Sequence, residues 1–192
     1  MSSETALADS DEALMLAYGQ GDASAFDVLY GRHKDAVYRY FLRQQYSSAQ
    51  SQDSSIAEEL SHDCWLKIIK HRQSYQVTAK FTTWLFTIAK HTAMDYYQKK
   101  HLQLVEAGMD GEQFVDNADS LANANAQQQL QQALQTSIAL LPVEQRQIFL
   151  LKQEAQFSLQ EIADITQENK EKVKSSWRYA IDKLRRSLQD YV

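Results

Sequence analysis

The chain has 192 residues and a formal net charge of −5, with one proline, five glycines and one cysteine. So few turn-forming residues exclude a β-rich fold of this size, and the single Cys64 excludes an internal disulfide and suits a reducing compartment. The polar, acidic start MSSETALADSDEA lacks the basic and apolar parts of a secretion signal, and no apolar run reaches membrane-spanning length. A cytoplasmic, nearly all-helical protein without membrane insertion is expected.

The acidity is not spread evenly. Residues 101–127 hold five acidic residues and no lysine or arginine, whereas both flanking parts are close to neutral. Between Lys170 and Arg186 there are seven cations and two anions. Local sign, rather than the total, decides whether a surface can meet a polyanion.

In chain order, a first helix is expected from a capping box at Asp9 and Glu12 to the glycines at 19 and 21. A longer helix follows from Asp22 to Tyr46, burying Phe26, Leu29, Tyr30, Val37, Tyr40 and Phe41. The polar stretch from Ser47 to Ser55 reads as a loop, and Ser55 with Glu58 as the capping box of a third helix. That helix runs to Arg72 and buries Ile56, Leu60, Cys64 and Ile68. After a short loop from Tyr75 to Ala79, the stretch Lys80 to Lys100 (KFTTWLFTIAKHTAMDYYQKK) forms a fourth helix with two faces. Phe81, Trp84, Leu85, Ile88, Thr92 and Tyr96 make its apolar stripe. Lys80, Thr83, Thr87, Lys90, His91 and Met94 fall on another side, mixing cations, hydroxyls and an imidazole as a nucleic-acid contact requires.

From His101 to Asn125 the periodicity fails, and the segment reads as an acidic flexible linker. Leu130, Leu134, Ile138 and Leu141 keep helical spacing through a glutamine-rich run, and Pro142 opens the helix VEQRQIFLLKQEA. Ser158 and Glu161 form a capping box for a short helix ending at Thr166. Asn169 caps a last helix from Lys170 to Leu188, with Val173, Trp177, Ile181, Leu184 and Leu188 inside and Lys174, Arg178 and Arg185 outside. A short helix, a tight turn and a longer basic helix make a helix-turn-helix pattern. The architecture is therefore all-α: two small helical domains, 1–100 (a helical bundle) and 127–192 (helix-turn-helix), joined by the linker 101–126. Trp84 and Trp177 are expected in the core rather than against bases. His62, Cys64 and His71 do not suggest a metal, because i and i+2 point apart on a helix and no CxxC is present. No nucleophile triad or phosphate loop stands out, so neither an enzyme nor a cofactor is expected.

Three blocks together resemble the sigma-70 family of RNA polymerase sigma factors, in its small extracytoplasmic-function (group IV) form. They are AEELSHDCWLKIIKHRQSY at 57–75, KFTTWLFTIAKHTAMDYY at 80–97 and the segment 140–185 beginning LLPVEQRQIFLLKQEAQFSLQEIADITQ. The resemblance implies that the first docks on core RNA polymerase through Glu59, His62 and Asp63. It implies that the second recognises and melts the minus-ten promoter element, with Tyr75, Lys80, Thr83, Thr87, Lys90 and His91 towards the DNA. It implies that the third reads the minus-thirty-five element through Asn169, Lys172, Lys174, Ser175, Arg178 and Tyr179. Partners implied are core polymerase, promoter DNA and an anti-sigma factor. The chain departs from the family pattern at His62, where Gln is frequent, and at His91, where Asn is common. It departs also at Gln167, where Gly often makes the turn, and at Lys172, where Thr is common. The residues alone also allow a stand-alone helix-turn-helix regulator with residues 1–100 as a sensor or dimerisation domain.

Overall fold

The computed structural model describes residues 10–44, 54–106 and 126–189, and among these it contains eight α-helices and no strand. They are α1 (Asp11–Gly19), α2 (Ala23–Gln44), α3 (Ser54–His71), α4 (Phe81–Glu106), α5 (Ala126–Ala139), α6 (Val143–Glu154), α7 (Leu159–Thr166) and α8 (Lys170–Ser187). A 3-10 turn at Arg72–Ser74 follows α3. The protein is all-α and built as two helical domains, α1–α4 and α5–α8.

Local signals account for most helix ends. Ser10 caps α1 by accepting from the Ala13 N–H at 3.2 Å. The expected box at Asp9 and Glu12 is not what starts this helix: Asp9 lies outside the described residues. Glu12 reaches instead across the first domain, accepting from the Phe81 N–H at 2.7 Å and so capping α4. Gly21 turns the chain at φ 110°, which a side chain would resist, and Asp22 accepts from both the backbone and the hydroxyl of Ser24. α3 begins at Ser54, so Ser55 and Glu58 lie inside its first turn. α4 runs six residues past the expected end at Lys100, through the start of the acidic segment. Residues 107–125, the rest of the expected linker, are outside the described set, as are Tyr46 and 45–53.

Tyr40, Phe41, Phe81, Leu85 and Phe86 are the large, fully buried side chains between α2 and α4, each worth roughly 1.5–3 kcal/mol of burial. Two assignments of the sequence stripe change. Tyr30, expected inside, is 42% exposed, and Trp65, absent from the stripe, is buried. The two are the same event: Trp65 lies edge-on to both Phe26 and Tyr30, at 5.9 and 5.0 Å, and displaces Tyr30 outward. In the second domain Ile148, Phe149, Leu150 and Leu151 are all buried, so the middle of α6 is enclosed while Val143 at its start is 62% exposed. Trp177 is half-buried and stacks on Phe149 at 5.8 Å, while Val173, Ala180 and Leu184 form the inner row of α8.

The domains touch. The Arg146 guanidinium on α6, almost fully buried, donates to the Gln44 carbonyl of α2 and the Leu141 carbonyl after α5. Phe157, ahead of α7, meets Phe86 of α4 edge-on at 5.2 Å. One apolar cluster therefore runs through both domains.

Candidate nucleic-acid interface

The helix-turn-helix is assembled from local chemistry. Ser158 and Glu161 close the expected capping box, the Glu161 N–H donating to the Ser158 hydroxyl and the Ser158 N–H to the Glu161 carboxylate. α7 ends where Gln167 takes the left-handed conformation, φ 58° and ψ 34°, which returns the Glu168 N–H onto the Ala163 carbonyl at 3.0 Å. The Gly-to-Gln departure thus keeps the turn and pays in backbone strain. Asn169 then caps α8, accepting from the Lys172 N–H at 2.7 Å.

The six α8 residues singled out for duplex contact divide into two sets. Asn169 is occupied by the cap. Lys172 pairs with Glu168 at 2.7 Å and Glu144 at 3.5 Å, and the Glu168 bond chiefly raises its ammonium pKa. The Ser175 hydroxyl donates to the Glu171 carbonyl. Lys174, only loosely paired with Glu171 at 3.9 Å, projects with Arg178 and Tyr179 into solvent, Tyr179 being 61% exposed. Two cations and a phenol within five positions on an exposed helix behind such a turn suit a major groove.

The six residues singled out around α4 are more dispersed. Tyr75 is buried beside Phe81 and Trp84, with ring centroids 6.2 and 5.0 Å away. Burial pushes its phenol up to about 12, and Glu12 and Asp11 add to the effect. Thr83 is 6% exposed and Lys90 only 9%, while Thr87, half-buried, donates to the Thr83 carbonyl. His91 is exposed. Lys80 stands at the helix entrance, its ammonium 2.8 Å from Glu161. That bond, ahead of the cap contacts, holds the Glu161 carboxyl down at about 2. The burial of Thr83 and Lys90 comes from α7 lying along this side of α4. Trp84 is half-buried at the edge of the core.

On α3, Glu59, His62 and Asp63 share one exposed face. Beside them a groove of about 330 Å³ opens between α2 and α3, lined by Tyr30, Lys34, Tyr38, Glu58, His62 and Trp65. The sequence reading missed its α2 wall. Tyr30 was the clue, an aromatic one turn before the cation Lys34, which lies over its ring at 5.8 Å. Among the described residues no group of three His, Cys, Asp or Glu is placed to hold a metal ion, and no helix is long and apolar enough to cross a membrane.

Fold and site together define a helical protein with one basic helix-turn-helix and a second polar helix suited to nucleic acid. Comparison with known proteins gives the class its family. A family model for Sigma-70 region 2 matches residues 29–102, and one for Sigma-70 region 4 matches 131–180. The chain belongs to the sigma-70 family of RNA polymerase sigma factors. It is 26% identical over 179 residues to the ECF RNA polymerase sigma factor SigW of Bacillus subtilis, covering 89% of this chain and 92% of that protein. It is also 26% identical over 196 residues to the ECF sigma factor BldN of Streptomyces coelicolor, covering 95% of this chain and 69% of that one. In fold it is similar to CnrH, solved in complex with the cytosolic domain of CnrY, at TM-score 0.68 and 17% identity over 95% of this chain and 99% of that one. RpoE of Bartonella quintana, solved with the anti-sigma factor NepR, is similar at TM-score 0.64 and 19% identity over 85% and 96%.

Proposed function

We propose that this chain is the promoter-specificity subunit of an RNA polymerase holoenzyme. The exposed face of α3 with Glu59, His62 and Asp63, next to the α2–α3 groove, docks on core polymerase. α8 reads the minus-thirty-five element, with Lys174, Arg178 and Tyr179 as the available side chains and Asn169, Lys172 and Ser175 shaping and charging the entrance to the helix. The side of α4 bearing Lys80, Thr83, Thr87, Lys90 and His91, with Tyr75 in the loop before it, recognises and holds the melted minus-ten element. In this reading residues 1–100 carry polymerase binding and minus-ten recognition and residues 127–192 carry minus-thirty-five recognition. The chemistry of transcription belongs to the polymerase, so this subunit performs no catalysis, needs no cofactor and works in the cytoplasm. An anti-sigma factor is its natural inhibitor: the similar RpoE was solved with the anti-sigma factor NepR, and the similar CnrH with the cytosolic domain of CnrY.

The observation that carries the proposal is α8, a capped basic helix with an open outer row directly behind a left-handed helix-turn-helix turn. Transcription in vitro with purified core polymerase and a genomic library tests it. Defined start sites that require this chain are expected. Tight binding to a palindromic duplex by the chain alone, with no transcript from core enzyme, would instead identify a stand-alone regulator.

A further inference from the structure

Lys172 stands in the first turn of α8, and its ammonium lies between two carboxylates that belong to other elements. Glu168 of the turn before α8 approaches to 2.7 Å and Glu144 of α6 to 3.5 Å. The turn itself fixes Glu168, whose N–H is tied to the Ala163 carbonyl at 3.0 Å. By contrast, the pairs made within α8, Lys174 with Glu171 and Arg185 with Asp182, are both 3.9 Å long. A cation in the first turn of a helix is opposed by the helix dipole, and acidic neighbours offset that cost. They also leave two negative charges for one positive around Lys172. The Lys172 side chain is 44% exposed and that of Glu144 69%, so DNA arriving at α8 meets these groups directly.

We infer that Glu144 and Glu168 are built-in counterions of Lys172: they stand where a DNA phosphate would sit and must be displaced before Lys172 can hold one. The inference rests on the assignment of α8 as the duplex-reading helix. Phosphate contacts carry no sequence information, and each cation free to make one adds a sequence-independent increment of affinity. Occupying Lys172 with carboxylates removes that increment and puts repulsion in its place. Lys174 and Arg178 keep their exposed positions for base edges. The consequence is a recognition helix with a weak general grip. Bulk DNA then holds the chain poorly, and duplex binding depends on base contacts and on the polymerase proposed above as its carrier. The effect is uniform over sequences, so the two glutamates set affinity and salt dependence rather than the preferred bases.

The full chain and a double variant, Glu144→Gln with Glu168→Gln, are titrated against a fluorescent random-sequence duplex, with anisotropy read from roughly 50 to 200 mM salt. Both substitutions keep the shape of the side chain, and the Glu168 N–H bond that forms the turn is untouched. The double variant should bind about fivefold more tightly at the low-salt end, the scale of one surface ion pair. Its plot of log affinity against log salt should be steeper by about 0.9, the increment of one phosphate contact. Adding Lys172→Ala to the double variant should abolish the extra slope, whereas Lys172→Ala in the parent chain should leave the slope unchanged. An unaltered slope in the double variant, a steeper one that survives Lys172→Ala, or a parent slope that falls with Lys172→Ala overturns the inference. Lys174→Ala, made in both backgrounds, separates this result from the reading it rests on. It should weaken binding in each. If it does so while the slope stays fixed, only the counterion role falls; if it does not, α8 is not the duplex-binding helix and both readings fall.

Discussion

Replacing Gln167 with Gly should stabilise the protein. Gln167 has φ 58°, and its side chain is exposed, so removing it sacrifices no core packing. A residue with a β-carbon gives up roughly 1–2 kcal/mol in this conformation. Glycine returns roughly 0.5–1 kcal/mol of that through the greater freedom of its unfolded chain. The net gain is about 0.5–1 kcal/mol, which for a chain of this length is about 1–4 °C in Tm. Denaturant titration of the full chain measures it, with Gln167→Ala as the control that keeps the β-carbon and removes the rest. If the Gly variant is no more stable than the Ala variant, the left-handed turn is not a source of strain and the assignment of this helix end is wrong. The turn sets the angle between α7 and α8, so footprints of the Gly variant should keep the parent's position.

Four further outcomes are expected. Lys174→Ala and Arg178→Ala should each weaken upstream promoter binding by about 1–3 kcal/mol, read as shrinking footprints at the minus-thirty-five element; unaltered footprints would move the reading surface elsewhere on α8. Glu59→Ala with Asp63→Ala should lower core polymerase affinity about tenfold in a pull-down titration while circular dichroism stays unchanged, since both side chains are exposed. The Cys64 thiol, pushed up to about 12 chiefly by burial, should resist iodoacetamide at pH 8 in the folded chain and react once unfolded, as intact mass would show. Glu161 titrates at about 2 instead of 4.5, so its ionic contribution is complete above about pH 4.5 and is lost as pH falls towards 2. The difference in thermal midpoint between the parent and Glu161→Gln should therefore close over that interval, and a gap that persists at pH 2 would refute the Lys80 contact as its cause.

Signals that act within one turn of helix were legible in the sequence. Ser158 with Glu161 and the Asn169 cap concern neighbours, and each appears where the residues placed it, whereas Gln167 takes the left-handed turn although the residue disfavours it. Stripes were legible only where one partner surface dominates. In α3 a period of four selected Leu60, Cys64 and Ile68 but missed Trp65, whose ring is placed by Phe26 and Tyr30 of another helix. In α4 the polar side looked solvent-facing, yet Thr83 and Lys90 are buried, and Lys90 meets the end of α7, far along the chain. Periodicity gives the faces of a helix but not how many of them find a partner. Arg146 was not singled out by the sequence: it lies two residues before the buried run Ile148–Leu151, and an arginine drawn into such a core must find buried acceptors. Glu12 and Glu161 each read as ordinary capping residues, and neither pattern could reveal a partner in a distant helix.

α1 lies ahead of the first family match, which begins at residue 29, yet it is tied both to α2 and to the start of α4. Asp11 binds Arg32 and His33 of α2, at 2.8 and 2.7 Å, while the neighbouring Glu12 takes the Phe81 N–H. A helix ahead of that match thus caps the start of α4. Sequence drift in α1 can retune how α4 leans without touching any residue proposed above to meet DNA or polymerase. Relatives that share every contact residue could still differ in how readily they open a promoter, and the difference would be inherited through a short leading helix that a motif-based comparison ignores.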